Sequence, residues 1–399
     1  MLKDKNILLC ISGGIAAYKM PNLASMLVKK GCNVNVIMTK SAENFITTKT
    51  FEALTGNPCF IDTFQTTYPI SIHHIKLATE ADYVMVAPAT ADIIGKIAHG
   101  IADDMLTSTL LACKCPVAIA PSMNVNMYEN LVVQDNIKTL EKYGYRIIEP
   151  ATGYMACKAT GKGKMPEPAE LFKYIEKELA YEQRLEGVNI LVTAGATKEK
   201  IDPVRYITNN STGKMGYAIA KVAMLKGANV TLVTGHTALE DIAFVNTIKV
   251  DSAENMYNAV TANAENADII IKSAAVADYT PLNVADNKIK KSDSDMSIPL
   301  KRTKDILKQL GANKKETQFI CGFSMETENM MENSIRKLES KNIDMIVANN
   351  LKQNGAGFGT DTNVITIITK TDCIELPIMS KEECAEKLLD KISELRKSK

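Results

Sequence analysis

The chain has 399 residues, 46% of them hydrophobic and 23% charged, with 47 Lys plus Arg against 46 Asp plus Glu. At about 100–200 residues per domain, that length predicts two domains, each able to bury its own core. A formal net charge of +1 argues against an electrostatic nucleic-acid binder, and no apolar run approaches the roughly 18 residues of a membrane span.

The N-terminus, Met1-Leu2-Lys3-Asp4-Lys5, runs straight into a strand-like segment. That leaves no room for a signal peptide, and a cytoplasmic location is expected. Short apolar runs then alternate with helix-length amphipathic stretches, as in a parallel sheet flanked by helices. Strands are expected at residues 7–11, 34–38, 83–87, 117–120 and 146–148, and a helix over 21–30 that closes at Gly31. The same phrase then starts again. Asn6-Ile7-Leu8-Leu9 is echoed by Asn189-Ile190-Leu191-Val192, Lys30-Gly31-Cys32-Asn33-Val34 by Lys226-Gly227-Ala228-Asn229-Val230, and Ala81-Asp82-Tyr83-Val84 by Ala267-Asp268-Ile269-Ile270. Three echoes in one order predict an α/β chain of two tandem Rossmann-like (flavodoxin-like) domains with mainly parallel sheets. A charged helical stretch at 171–185, followed by Glu186-Gly187, places the junction near 180–188 and the domains at 1–187 and 188–399. Residues 288–295 read as a polar loop. A late hairpin pairing 364–368 with 373–376 precedes a final helix.

The nine cysteines are Cys10, Cys32, Cys59, Cys113, Cys115, Cys157, Cys321, Cys373 and Cys384, an odd set spread over a long chain. That distribution fits a reducing compartment. Cys113-Lys114-Cys115 has no second pair at zinc spacing, so both are read as buried small apolar side chains.

Ser12-Gly13-Gly14-Ile15-Ala16-Ala17 follows the first strand and opens the first helix. Glycines there let the backbone approach a ligand and leave N–H groups for a phosphate; a bare tight turn is the alternative. The full G-x-G-x-x-G pattern and an acidic residue some 20 positions on are both missing, which favours a mononucleotide over a dinucleotide. Thr39-Lys40-Ser41, the 87–92 segment Ala-Pro-Ala-Thr-Ala-Asp, and the 121–128 segment from Pro121 to Tyr128 all fall at C-terminal strand ends, where open α/β sheets bind ligands.

Together with His73-His74-Ile75 and the segment holding Cys157, Gly161, Gly163 and Met165, these motifs resemble the flavin-dependent phosphopantothenoylcysteine decarboxylases. The resemblance implies FMN held by Ser12, Gly13, Gly14, Ile15, Thr39, Ser41, Thr90 and Ala91. Oxidation of the substrate's thiol carbon then provides the electron sink that decarboxylation needs. It further implies His74 as the catalytic histidine, Asn124 as the holder of the substrate carboxylate, and Cys157 as the acid that protonates the ene-thiolate. His73 has no implied role. Lys158 stands where the family usually has Gly and Lys164 where it has Arg, while Tyr128 suits the aromatic position.

In the second half, Thr193-Ala194-Gly195-Ala196-Thr197 follows the new first strand, and a segment running from Asp202-Pro203-Val204-Arg205 to Ser211-Thr212-Gly213-Lys214-Met215-Gly216 comes next. Walker spacing is absent. These segments, with Ala274-Ala275-Val276-Ala277-Asp278-Tyr279 and Lys288-Ile289-Lys290-Lys291, resemble the phosphopantothenate–cysteine ligases. The whole chain is therefore similar to the bifunctional fusion of the two families. The resemblance implies CTP activation of a carboxylate as an acyl-cytidylate, then displacement of CMP by the amine of cysteine. It further implies catalytic roles for Asn209 and Lys288, and nucleotide contacts for Ala274, Ala275, Val276, Asp278, Lys288, Lys304, Asp305, Ile306, Leu307, Phe323, Lys337 and Lys341. Asp278 meets either the ribose or a metal; Mg2+ is expected with CTP rather than in a protein cage. Asn350 departs from the family's Asp.

The resulting expectation is a homo-oligomeric enzyme acting on 4'-phosphopantothenate, L-cysteine, CTP and 4'-phosphopantothenoylcysteine, with no nucleic-acid or membrane partner. Trimeric decarboxylase contacts and dimeric ligase contacts are implied, a dodecamer among the assemblies they allow. Rival readings are an NAD(P)-dependent oxidoreductase and a flavoprotein-like regulatory subunit.

Overall fold

The computed structural model describes residues 2–64, 72–154, 156, 158, 160–291, 295–325, 330–349, 357 and 359–397, with only the backbone at 325, 330 and 331. The chain divides into two compact units, Met1–Tyr181 and Glu182–Lys399. The division precedes the expected junction at 187 because Gln183 and Leu185 bond to the second unit, through the carbonyls of Leu225 at 3.0 Å and Lys226 at 2.9 Å.

In the first unit, β1 (Asn6–Ile11), β2 (Asn33–Met38), β3 (Cys59–Phe60), β4 (Tyr83–Ala89), β5 (Val117–Pro121) and β6 (Arg146–Ile147) form one parallel sheet in the order β3-β2-β1-β4-β5-β6. Strand alternation sends Ile7, Leu9 and Ile11 to one face and Leu8 and Cys10 to the other. The first face packs under the helices Met20–Lys29 and Pro168–Leu179, the second under Ala91–Ala98, Met105–Ala112 and Leu131–Lys142. Burial on both faces explains the continuous apolar run of β1. Each such Leu or Ile contributes about 1.5–3 kcal/mol. A hairpin, β7 (Ala151–Tyr154) and β8 (Thr160–Lys164), lies outside this sheet.

The second unit repeats the plan with β9 (Asn189–Ala194), a small hairpin β10 (Lys198–Lys200) and β11 (Tyr206–Thr208), then β12 (Asn229–Thr234), β13 (Asn246–Lys249) and β14 (Ile269–Lys272). A second small pair, β15 (Tyr279–Pro281) and β16 (Leu300–Arg302), follows. Next come β17 (Phe319–Met325), β18 (Met345–Asn349), β19 (Thr362–Asn363), β20 (Ile365–Thr369), β21 (Cys373–Glu375) and β22 (Met379–Ser380). The main sheet runs β13-β12-β9-β14-β17-β18-β20-β21, parallel through β18, after which the late hairpin adds β20 antiparallel to β18 and β21 antiparallel to β20. The helix Lys214–Leu225 is buried almost all round because it lies between the sheet and the final helix Lys381–Lys397.

The three sequence echoes fall on β1, β2 and β4 and on β9, β12 and β14, the same adjacent strands of each sheet. They share a bond as well: Asp82 Oδ2 accepts from Asn6 N at 2.8 Å, and Asp268 Oδ2 from Asn189 N at 2.8 Å. Among the described residues no helix is long and apolar enough to cross a membrane.

The described cysteines are all free. Cys10, Cys32, Cys59, Cys321 and Cys384 are buried, whereas Cys113 and Cys115 are only partly buried and Cys373 is exposed. This corrects the reading of Cys113 and Cys115 as buried. The two follow the end of the helix Met105–Ala112, at the rim of the core, where Cys113 Sγ donates to Thr109 O at 3.2 Å.

Candidate functional site

Strand order reverses between β1 and β4 in the first unit and between β9 and β14 in the second, and ligands bind beyond the C-terminal ends of strands at such switch points. In the first unit, two loops are latched there. The buried Ser12 hydroxyl donates to Pro88 O at 2.7 Å and accepts from Thr90 N at 3.1 Å. Thr90 in turn caps the helix Ala91–Ala98. A Cβ on Gly13 would stand 2.4 Å from Ser41 Cβ, so only glycine lets the first loop close on the turn after β2. Gly14 is the N-cap of the short 3-10 helix Ile15–Lys19, and the Ile15 side chain is exposed. Thr39 is buried between these loops, and its Oγ1 has no hydrogen-bond partner. A buried hydroxyl without a partner is costly, and here it stands among the residues expected to hold a cofactor.

His73 and His74 open the helix His73–Glu80. His73 stacks on Phe60 with ring centroids 4.6 Å apart, a packing role. His74 has a buried Nδ1 with no hydrogen-bond partner. Asn124 caps the helix Val125–Tyr128, its Oδ1 accepting from Asn126 N at 2.9 Å. The β7–β8 hairpin presses on this loop: Met123 N donates to Gly163 O at 3.0 Å. A Cβ on Gly163 would stand 2.4 Å from Met123 O, and one on Gly161 2.7 Å from Val125 Cγ2. Cys157, between β7 and β8 in sequence, lies outside the described residues. Lys158 beside it holds a φ of 65°, a left-handed conformation that suits glycine. Lys164 joins Lys19 around Glu167, at 3.6 Å and 2.6 Å. The hydrogen bond from Lys19 holds the Glu167 carboxyl below its usual value.

In the second unit the loop after β14 is pinned by buried threonines: Thr193 Oγ1 accepts from Ala274 N at 3.1 Å and Thr197 Oγ1 from Ala277 N at 3.0 Å. Opposite, the helix Lys214–Leu225 starts at Gly213 (φ 82°), and a Cβ on Gly216 would stand 2.6 Å from Ala194 Cβ. Between them lies a cavity of about 440 Å³. Of the expected residues, Asn209, Ala274, Ala275, Val276, Asp278, Leu307, Phe323, Lys337 and Lys341 line it. Asn209 Nδ2 donates to Ala275 O at 3.2 Å.

Four expected residues stand away from its walls. Ile306 is part of the apolar core, and Lys304 lies over the Tyr257 ring with its ammonium 4.7 Å from the centroid. Asp305 caps the helix Ile306–Ala312 and pairs with Lys341 at 3.0 Å. Burial opposes its ionisation, but the Lys308 N–H and Lys341 hold its carboxyl below the usual value. Lys288 is exposed. Its neighbour Ile289 is clamped on both sides: Ile289 N donates to Asp202 Oδ2 at 3.2 Å, and Arg205 Nη2 donates to Ile289 O at 2.9 Å. Asp202 is buried and takes two bonds from the Arg205 guanidinium, at 2.9 Å and 2.5 Å, which hold its carboxyl well below the usual range.

The cavity also has walls outside the expected nucleotide contacts, among them Lys214, Lys272, Lys381, Asn349 and Asn363. Lys214 Nζ donates to Gly359 O at 2.8 Å and pairs with Asp361 at 2.7 Å. Lys381 donates to Gly357 O at 3.1 Å and to Thr360 O. Among the described residues the cavity thus has five lysines and one carboxylate, Asp278, and no cluster of three potential metal ligands exists. A terminal lysine on the apolar run Ile269-Ile270-Ile271 was the one visible signal for Lys272. Lys214 stands in the Ser211–Gly216 motif with no role assigned to it there, and Lys381 carried no signal.

Residues 1–180 match the model of the family described as "Flavoprotein", and residues 185–395 that of "DNA/pantothenate metabolism flavoprotein C-terminal domain". The chain is 51% identical over 401 residues to the Coenzyme A biosynthesis bifunctional protein CoaBC of Bacillus subtilis (strain 168), covering 100% of this chain and 98% of that protein. To the protein of the same name from Escherichia coli (strain K12) it is 39% identical, covering 98% of this chain and 97% of that one. The crystal structure of the C-terminal domain of a protein of that name is 44% identical, covers 55% of this chain and 100% of its own, and superposes with a TM-score of 0.48. Full-length identity of this order and the two family matches lead to one conclusion: the chain belongs to the family of coenzyme A biosynthesis bifunctional proteins, two-domain enzymes whose first domain is a flavoprotein.

Proposed function

We propose that the second unit joins L-cysteine to 4'-phosphopantothenate at the expense of CTP, and that the first unit decarboxylates the product to 4'-phosphopantetheine. The observation that carries the reading is the lysine-walled cavity at the β9/β14 switch point. Five ammonium groups against one carboxylate suit a triphosphate and the pyrophosphate that leaves it. In the ligation, the substrate carboxylate attacks the α-phosphorus of CTP to give an acyl-cytidylate and pyrophosphate. The amine of cysteine then displaces CMP. Asn209, fixed through one N–H to Ala275 O, keeps a second N–H and its carbonyl for the acyl group. Asp278 is the carboxylate available to a ribose hydroxyl or to Mg2+ carried in on the phosphates. Lys288 would act from the loop that Asp202 and Arg205 hold at Ile289.

The residues of the first unit fit FMN: a glycine-tight pair of loops and the buried, unpartnered Thr39 hydroxyl provide room and a donor. FMN would supply the two-electron oxidation that gives the substrate carboxylate an electron sink, and the return of the hydride. Asn124 would orient that carboxylate as a neutral donor, which leaves its charge free to depart as carbon dioxide. His74 would present its ring to the substrate, and Cys157 would deliver the final proton. Exposed Ile15, Tyr18, Leu131 and Val132 support assembly into homo-oligomers, with trimeric contacts in this unit and dimeric ones in the ligase.

The test is a visible spectrum of the purified protein, followed by addition of 4'-phosphopantothenate, cysteine, CTP and Mg2+. A yellow protein that releases pyrophosphate and then carbon dioxide is expected. A colourless protein, or one that releases neither, overturns the reading.

A further inference from the structure

Lys272 is the last residue of β14, a central strand otherwise made of isoleucine. Strand alternation places it on the same face as Ile270, where Leu191, Leu307, Ile320 and Leu338 form the core. Its partner on β17 is Gly322, where a Cβ would stand 2.9 Å from Leu307 Cδ2. Lys272 thus rises from an apolar layer into the cavity, partly buried. Its ammonium makes no hydrogen bond and no ion pair among the described residues. Asp305 would be the natural partner, but it is engaged by Lys341 at 3.0 Å and by Lys308 N at 3.0 Å. Lys337 and Lys341 add like charge from the helix Met330–Ser340 and the turn after it, and Asp278 is the other carboxylate within electrostatic range.

Lys272 therefore stands at the floor of the cavity beside like charge, while the nearest carboxylate, Asp305, is already engaged. A lysine without a partner normally extends its ammonium to bulk water, and holding one partly buried is unfavourable. We infer that Lys272 is a phosphate ligand, its ammonium pairing with a phosphate group of the substrate that fills this cavity. Burial, and then the neighbouring Lys341, hold the ammonium below its ordinary value in the empty site, as expected of a cation that lacks its anion. The inference rests on the ligase reading of the cavity. The phosphate could come from CTP or from 4'-phosphopantothenate, and the experiment separates them.

The full-length protein and its Lys272→Met and Lys272→Arg variants would be titrated calorimetrically with CTP, pyrophosphate, cytidine and 4'-phosphopantothenate, alongside ligand-free melting curves. A charged hydrogen bond corresponds to about ten- to a hundredfold in affinity. Lys272→Met should lose that factor for CTP and pyrophosphate together, or for 4'-phosphopantothenate, and leave cytidine unchanged. Lys272→Arg should retain most of the affinity. Without ligand, Lys272→Met should melt at or above the wild-type temperature, because it removes an unpaired buried charge. Unchanged affinity for all phosphate ligands overturns the inference, as does a lower ligand-free melting temperature, which would mark the lysine as structural. If the wild type itself fails to bind CTP, the ligase reading falls. A loss of pyrophosphate or 4'-phosphopantothenate affinity in Lys272→Met would still uphold Lys272 as a phosphate ligand.

Discussion

In the first unit the crevice between β1 and β4 is closed by neutral groups: the Ser12 hydroxyl, the Pro88 carbonyl, and a glycine set hard against Ser41. In the second, the crevice between β9 and β14 is held by threonine hydroxyls in the same way, yet it opens on five lysines. The latching is common and the charge is not. On the proposed assignment the difference is expected: a flavin needs close backbone approach and few charges, whereas a triphosphate needs cations. One strand order therefore serves two chemistries, because the groups that differ all lie on the loops and strand ends.

The sharpest way to break this comparison is to disable one site and watch the other. Cys157→Ser should still release one equivalent of carbon dioxide per flavin but lower formation of 4'-phosphopantetheine by about 10²–10⁴-fold, the range for a lost general acid, while pyrophosphate release continues. Lys288→Gln should lower pyrophosphate release by about 10²–10³-fold, as for a lost cation at the developing charge, while carbon dioxide release continues when 4'-phosphopantothenoylcysteine is supplied directly. If either variant silences both reactions, the assignment of one chemistry to each unit is wrong.

Smaller lesions test the glycine contacts. Gly163→Ala would drive a Cβ into Met123 O, and Gly216→Ala one into Ala194. Each should cost about 1–3 kcal/mol locally. The first should slow decarboxylation alone and the second ligation alone, with kcat for each reaction as the readout.

Asp202 gives a pH prediction. Its folded-state carboxyl is held below the ordinary value by Arg205. Its contribution to stability is therefore fully present above the unfolded value, near 3.9, and is lost as pH falls through the folded one. The melting temperature of Asp202→Asn should lie below wild type by a constant margin from neutral pH down to about 4, and the two curves should converge under stronger acid. Parallel curves down to the lowest pH would show that the carboxylate is not what holds Ile289. The smallest effect is expected at Lys158→Gly. Relief of the left-handed backbone and the added entropy of glycine are each about 1 kcal/mol and opposed, so stability should change by under about 0.5 kcal/mol. A large change in decarboxylation would show instead that Lys158 touches the substrate.

Much of the architecture could be read from the chain. The apolar runs at 7–11, 34–38, 83–87 and 117–120 lie within β1, β2, β4 and β5, because strands buried on both faces must be apolar throughout. Strand ends and helix ends were less legible: the stretch expected as a helix over 171–185 runs instead over Pro168–Leu179, started by Pro168 at its first position. Local motifs found the loops at Ser12, Thr39, Thr90, Asn209 and Ala274. They did not single out Lys272 and Lys381, which lie far apart in sequence and meet only when β14 and the final helix assemble. They also admitted Lys304 and Ile306, which share a helix start with Asp305 but turn to Tyr257 and to the core.

The bond from Asn6 N to Asp82, repeated from Asn189 N to Asp268, lies at the foot of each sheet, at the end remote from both crevices. It fixes the register of the two central strands without involving any residue that meets a ligand. Each unit is thus a pedestal whose upper end is free to vary, and natural selection can rewrite the chemistry there without renegotiating the fold beneath. An engineer seeking a third reaction on this frame should keep Asp82 or Asp268 and redesign only the far ends of the strands.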